Sequence, residues 1–217
     1  MKDQFNIPTY IINLKERKER LNHILGQFRG RNEFHIQVVE ACEHKIGAIG
    51  LWRSIVKVIE LAQNNNDDVI IICEDDHEFT HHYSQDFLLY NLINAHRQGA
   101  EIISGGIGGY GHAIPLTENR FWVSSFLSTQ FIIVYKKFFK TILSYEFKED
   151  DVTDLVLSDL TSHKMVLYPF ISSQKDFGYS DITAIHNEKP GLVQRMFKKT
   201  EMRFQRLQNA YIKYSKS

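Results

Sequence analysis

The sequence predicts an α/β fold with a mainly parallel central sheet and helices on both faces. Two observations carry this. Short apolar runs rich in β-branched residues alternate with longer segments of helical periodicity, the pattern of successive βαβ units. A chain of 217 residues, 43% hydrophobic and 24% charged, also has the length and balance to build one sizeable core.

Residues 8–14, PTYIINL, form the first apolar run. In residues 15–28 the apolar positions Leu21, Ile24, Leu25 and Phe28 recur at helical spacing. FHIQVVEA, residues 34–41, predicts a second strand. Residues 47–68 give the clearest helix: Ile49, Trp52, Ile55, Val56, Ile59 and Ala62 share one face, and an Asn/Asp run ends it. VIIIC, residues 69–73, predicts a buried strand, and residues 82–99 a helix closed by Gly99. Residues 100–111 read as a strand entering a glycine loop. Gly105, Gly106, Gly108 and Gly109 fit no phosphate-binding motif, so a flexible active-site loop is expected. Residues 131–143 predict a strand followed by a helix, and 165–171 a late strand.

The chain has no formal net charge, yet residues 191–217 hold seven Lys/Arg against one acid, so the body, residues 1–190, is acidic. Acidic clefts suit divalent metals, and this distribution disfavours a nucleic-acid partner. Cys42 and Cys73 make neither a disulfide framework nor a zinc-finger spacing. With no secretory h-region and no apolar stretch near the ~20 residues of a membrane span, a cytoplasmic chain is expected.

Two chemistries overlap in residues 69–81, VIIICEDDHEFTH. His77-Glu78-Phe79-Thr80-His81 spells the zinc-peptidase signature, with Glu101 as a third ligand, but that motif must lie on a helix. The competing reading is a strand that ends in carboxylates. Glu74 and Asp76, one residue apart, point to the same side and can share Mn²⁺ or Mg²⁺ with the diphosphate of a nucleotide-sugar. The order of elements favours the second, because ligands of such sheets bind at the carboxyl ends of strands.

Several segments, in order, resemble glycosyltransferase family 25, the lipooligosaccharide-type glycosyltransferases. YIINLKERKERL is similar to the family's opening, with Asn13, Arg17 and Arg20 at the matching positions. GAIGLWRSIVKVI resembles its Gly-x-Ile-Gly segment, and IIICEDDHEF its Glu-Asp-Asp signature. AEIISGG, FIIVYKKFFKTIL, VTDLVLSDL and YPFISSQKDFGYSDI resemble its later blocks, so the likeness spans about residues 8–183. It departs at Ser54-Ile55, where the family has Ser-His.

The resemblance implies a GT-A-like fold and an inverting hexosyltransferase. It implies a UDP-sugar donor, often UDP-galactose, and a surface-glycan or lipooligosaccharide acceptor. On this reading Asn13, Arg17, Arg20, Gly50, Ser54 and Asp75 hold the nucleotide-sugar, and Glu74 and Asp76 the metal. Asp154 is the base, and Asp181 contacts donor or acceptor. Each assignment has a plainer counterpart: a solvated face for Arg17 and Arg20, a helix start for Gly50, a helix cap for Asp154. A non-catalytic sugar- or nucleotide-binding protein on the same fold is the second function class, and the Ser54-Ile55 departure favours it.

In the basic tail, Val193, Phe197, Phe204, Leu207, Tyr211 and Tyr214 share one helical face. Such a helix can lie on the anionic inner leaflet of a membrane or pack against the acidic body. Weak peripheral membrane contact is expected.

Overall fold

The computed structural model describes residues 6–178 and 191–215. In chain order the strands β1 (Ile7–Asn13), β2 (Phe34–Glu40) and β3 (Val69–Glu74) alternate with helices α1 (Lys18–Phe28) and α2 (Gly47–Asn64). β1 is parallel to both β2 and β3, with Ile7 opposite Phe34 and Thr9 opposite Ile71. These are the two βαβ units that the alternating pattern predicts. Helix α3 (Gln85–Arg97) leads to β5 (Ile102–Ser104); the excursion β6 (Gly109–Tyr110), β7 (Ala113–Pro115), β8 (Arg120–Val123) and β9 (Phe126–Leu127) precedes β10 (Phe131–Tyr135). Helices α4 (Lys136–Leu143) and α5 (Thr153–Asp159) and strand β11 (Lys164–Leu167) complete the main sheet, ordered β2-β1-β3-β10-β5-β11-β8-β7.

All strands of this sheet run the same way except β8 and β10. β10 lies antiparallel between β3 and β5. Its five residues are all buried, and a run buried on both faces carries no alternation from which direction can be read.

Period-2 alternation sorts the central strands into two cores. Tyr10, Ile12, Ile70, Ile72, Ile132 and Val134 face Trp52, Ile55 and Ile59 of α2 and Phe138 and Ile142 of α4. Ile7, Ile11, Ile71, Cys73 and Ile133 face Ile24 and Phe28 of α1 and Leu88, Leu92 and Ala95 of α3. Helices therefore cover both faces. The boundaries shift where local chemistry intervenes. α1 starts only at Lys18, because Arg17 N–H closes a turn on the Leu14 carbonyl at 2.9 Å. α3 starts at Gln85, where the Ser84 hydroxyl caps Phe87 N–H.

Two expectations, for the glycine segment and the tail helix, are corrected, and His77–Phe79 takes the non-helical course that the carboxylate reading favoured. The glycine segment 105–108 is buried, not an open loop. A Cβ on Gly106 would fall 2.1 Å from the Ser172 carbonyl oxygen, so glycine is there for close backbone packing. His77–Phe79 is a strand, β4, paired antiparallel with β12 (Ser172–Gln174), and not part of a helix. The tail helix, α6 (Leu192–Tyr214), turns its apolar stripe inward: Val193, Phe197 and Phe204 are buried in the α2-side core. The Phe204 ring contacts Tyr110, Phe121, Tyr168 and Phe170. The face proposed for a bilayer is thus occupied along this half of the helix; only its end, with Tyr214, is exposed. No helix among the described residues is long and apolar enough to cross a membrane.

Candidate functional site

The carboxyl ends of β1 and β3 lie side by side, with Ile12 opposite Glu74. The chain leaves β1 through Asn13 and Leu14 into α1, and leaves β3 through Glu74, Asp75 and Asp76 into β4. Between these exits and the β2–α2 loop opens a cleft of about 660 Å³. Asn13, Arg17, Arg20, Gly50, Ser54, Glu74, Asp75 and Asp76 all line it. Eight residues nominated from the sequence thus surround one cavity, at the strand ends where ligands of α/β sheets bind.

One wall is cationic. Arg20, buried on the first turns of α1, donates through Nη1 to Asp75 Oδ1 at 3.2 Å. Its guanidinium sits 4.6 Å from the centre of the Phe177 ring. Burial raises the Asp75 carboxyl, and Arg20 is the first influence that opposes the rise.

The facing wall is acidic. Half-buried Glu74 accepts from the Thr129 hydroxyl at 2.6 Å. Desolvation and the neighbouring Asp76 push its carboxyl up to about 8. Burial lifts Asp76 to about 6, opposed by the Gln174 amide, which donates to Oδ2 at 2.7 Å. Asp76 Oδ1 and Asn13 Oδ1 are buried with no hydrogen-bond partner. An unpartnered buried acceptor is costly, and two neighbouring buried carboxylates, one with such an oxygen, are the environment a hard cation relieves. No group of three or more His, Cys, Asp or Glu is arranged to hold a metal among the described residues. That is compatible with Mg²⁺, which takes one or two carboxylates and completes its shell with water and substrate phosphate. The donor set thus fits a divalent cation through Glu74 and Asp76.

Gly50 and Ser54 shape the third wall. A Cβ on Gly50 would stand 2.6 Å from the Cys42 carbonyl oxygen, and the Ser54 hydroxyl accepts from Cys42 N–H at 2.8 Å while donating to the Gly50 carbonyl at 2.7 Å. Ser54 is fully buried, so both residues hold the β2–α2 loop against the helix and define the cavity's outline. Ile55, the departure from the family pattern, points into the core beneath α2.

Asp154 does not line the cleft. It stands near Glu74, close enough to raise that carboxyl. Ser128 N–H donates to its Oδ2 and Leu155 N–H to its Oδ1, each at 2.9 Å. Burial nonetheless raises its proton affinity. Ser128, at φ 87°, holds a left-handed backbone that is strained for a residue other than glycine. Asp181 lies outside the described residues.

The zinc reading does not survive the geometry. His77 is fully buried, its Nδ1 2.8 Å from the Ser172 hydroxyl and its ring packed against Phe28, Phe79 and Phe131. On β4 it shares no helix face with His81, and Glu101 accepts from Thr161 at the entry to β5, by the start of β3 rather than its end. Burial holds His77 well below the ordinary imidazole range.

Sequence reading missed the β12 contribution. Gln174, Lys175, Asp176 and Phe177 line the cleft, brought there by the β4–β12 ladder. They lie in the YPFISSQKDFGYSDI block, whose resemblance gave none of them a role. His44 of the β2–α2 loop was missed as well.

No family model matches the chain, and no curated protein sequence matches it. Solved structures do. A197 from STIV aligns with a TM-score of 0.55 at 10% identity, over 81% of this chain and 87% of that one. An apo UDP-glucose pyrophosphorylase aligns at 0.48 and 12% identity, over 89% and 82% of the two chains. UDP-glucose pyrophosphorylase from Acinetobacter baumanii aligns at 0.45 and 11%, over 89% and 71%. At these identities the likeness to A197 supports the α/β fold alone, and the two alignments below 0.5 add nothing to it.

Proposed function

We propose that the chain is an inverting, metal-dependent glycosyltransferase that takes a hexose from a UDP-sugar and places it on a surface-glycan or lipooligosaccharide acceptor. One observation carries the proposal: Asn13, Arg17 and Arg20 after β1 meet Glu74, Asp75 and Asp76 after β3 in a single cleft. The resemblance to glycosyltransferase family 25 supplies the donor and acceptor classes.

Inversion at the anomeric carbon is one displacement, in which the acceptor oxygen attacks as the nucleoside diphosphate leaves from the opposite face. The chain must hold the nucleotide, bear the charge gathering on the diphosphate, and take the acceptor proton. Arg17 and Arg20 offer planar donor forks of the kind that suit phosphate. Glu74 and Asp76 would hold the cation, which when bound supplies countercharge to the departing diphosphate. Asp154 is the proposed base, since burial keeps its proton affinity above that of a free carboxylate. Asp154 does not line the cleft, so on this reading the acceptor hydroxyl must reach it beyond the cleft wall. Asp181 is retained as a contact to donor or acceptor.

Donor hydrolysis across a panel of UDP-, GDP- and CMP-sugars, with Mn²⁺ or with EDTA, tests this. Turnover of a UDP-sugar that EDTA abolishes is the expected result. Binding of UDP without turnover of any donor or acceptor would make the chain a non-catalytic nucleotide-sugar binder.

A further inference from the structure

We infer that Lys175 is a further phosphate-binding cation of the cleft, contacting the diphosphate of the donor alongside Arg17 and Arg20; the inference rests on the nucleotide-sugar reading above. The β4–β12 ladder aligns Gln174 with His77, and the next residue, Lys175, donates its backbone N–H to the Asp76 carbonyl at 2.7 Å. Its side chain is thereby fixed on the cleft wall beside the acidic cluster.

Two rings flank its ammonium. Nζ lies 3.4 Å from His23 Nδ1 and 4.7 Å from the centre of the Phe177 ring. The other nitrogen of His23, Nε2, lies 3.1 Å from the His77 carbonyl oxygen. A carbonyl can only accept, so Nε2 carries a proton there, and Nδ1 is the nitrogen that faces the ammonium. Arg20 differs: it is ion-paired with Asp75 at 3.2 Å. No carboxylate among the described residues forms an ion pair with Lys175. An ammonium flanked by an imidazole nitrogen and an aromatic face, with no carboxylate paired to it, can still donate to a further acceptor in the cleft. Such a group matches a phosphate oxygen, with a charge-assisted hydrogen bond as the interaction. Cation and carboxylates stand on adjoining residues of two paired strands, an arrangement suited to a diphosphate that bridges them.

Calorimetric titration of the full chain in Mn²⁺ buffer, with UDP, uridine and inorganic pyrophosphate, tests this. Lys175→Ala is expected to weaken UDP and pyrophosphate about tenfold or more, the scale of a lost hydrogen bond between charged groups. Uridine should bind as to the wild type, and Lys175→Arg should recover part of the loss. Equal weakening of uridine and UDP would mean a structural role and overturn the inference, as would wild-type UDP affinity in Lys175→Ala; either leaves the nucleotide-sugar reading intact. Pyrophosphate binding that needs Lys175, with no affinity for UDP, GDP or CMP, would keep the phosphate site and sink the nucleotide-sugar reading. A wild-type chain that binds none of these would sink both.

Discussion

Gln174 and Asp76, far apart in the chain, meet where β12 pairs with β4, and the Gln174 amide donates to Asp76 Oδ2 at 2.7 Å. The contact leaves Oδ1 of the same carboxylate without a partner. Gln174 therefore orients the acid and favours its ionised form, the two things a metal ligand needs. Gln174→Leu should weaken Mn²⁺ affinity by roughly 10- to 100-fold, the usual effect of losing a ligand's orienting partner. Mn²⁺ titration followed by electron paramagnetic resonance measures it. Unchanged affinity would mean that Asp76 does not hold the cation.

Glu74→Ala and Asp76→Ala should each abolish EDTA-sensitive turnover while the circular dichroism spectrum stays native. His81→Ala should leave turnover largely unchanged. His77→Ala is expected to lower the melting temperature, since it removes a buried ring packed among Phe28, Phe79 and Phe131. Zinc bound in the wild type and lost with activity in both His variants would contradict these assignments.

Asp154→Asn should lower kcat much more than it weakens UDP binding, because a lost base leaves the ground-state complex intact. An Asp76 variant should impair both. Matching losses in the two variants, from calorimetry alongside steady-state kinetics, would return Asp154 to the role its hydrogen bonds to Ser128 and Leu155 already give it.

The Tyr10 hydroxyl donates to Asp67 at 2.7 Å and accepts from Asn65 at 3.0 Å, and burial followed by the Asp67 bond pushes the phenol up to about 12. The unfolded phenol titrates near 10. Since the folded value is the higher, this stability is complete below about pH 10 and is lost as pH rises from 10 towards 12. Tyr10→Phe should therefore show an alkaline stability loss shallower than wild type by up to about 1.4 kcal/mol per pH unit in that window. Urea unfolding at several pH values checks it; parallel profiles would refute it.

Phe204→Ala should destabilise the fold by about 3–5 kcal/mol, as emptying a buried aromatic site does. The ring is fully buried against Phe121 and Tyr168, so α6 belongs to the core that supports β8 and β11. Urea denaturation gives the value. A loss below about 1 kcal/mol would show that the helix is detachable and revive the bilayer reading, which liposome sedimentation would then test.

The sequence by itself determined the α/β class, the first two βαβ units and the acids at the end of β3. Each rests on a local signal: alternation in Tyr10–Ile12 and Ile70–Cys73, the helical face of Trp52, Ile55 and Ile59, the run Glu74-Asp75-Asp76. It also brought Asn13, Arg17 and Arg20 to the same cleft, because consecutive parallel strands present the same ends. Only the tertiary structure decided the direction of β10, whose residues are buried on both faces and carry no pattern. It decided that Gly106 is a contact with Ser172, that His77 lies on a strand, and that Phe204 is covered. It placed Gln174 and Lys175 beside Asp76, and Asp154 near Glu74 but off the cleft wall. These depend on pairings between residues distant in the chain, whose energies come from packing and hydrogen bonds that no local periodicity records.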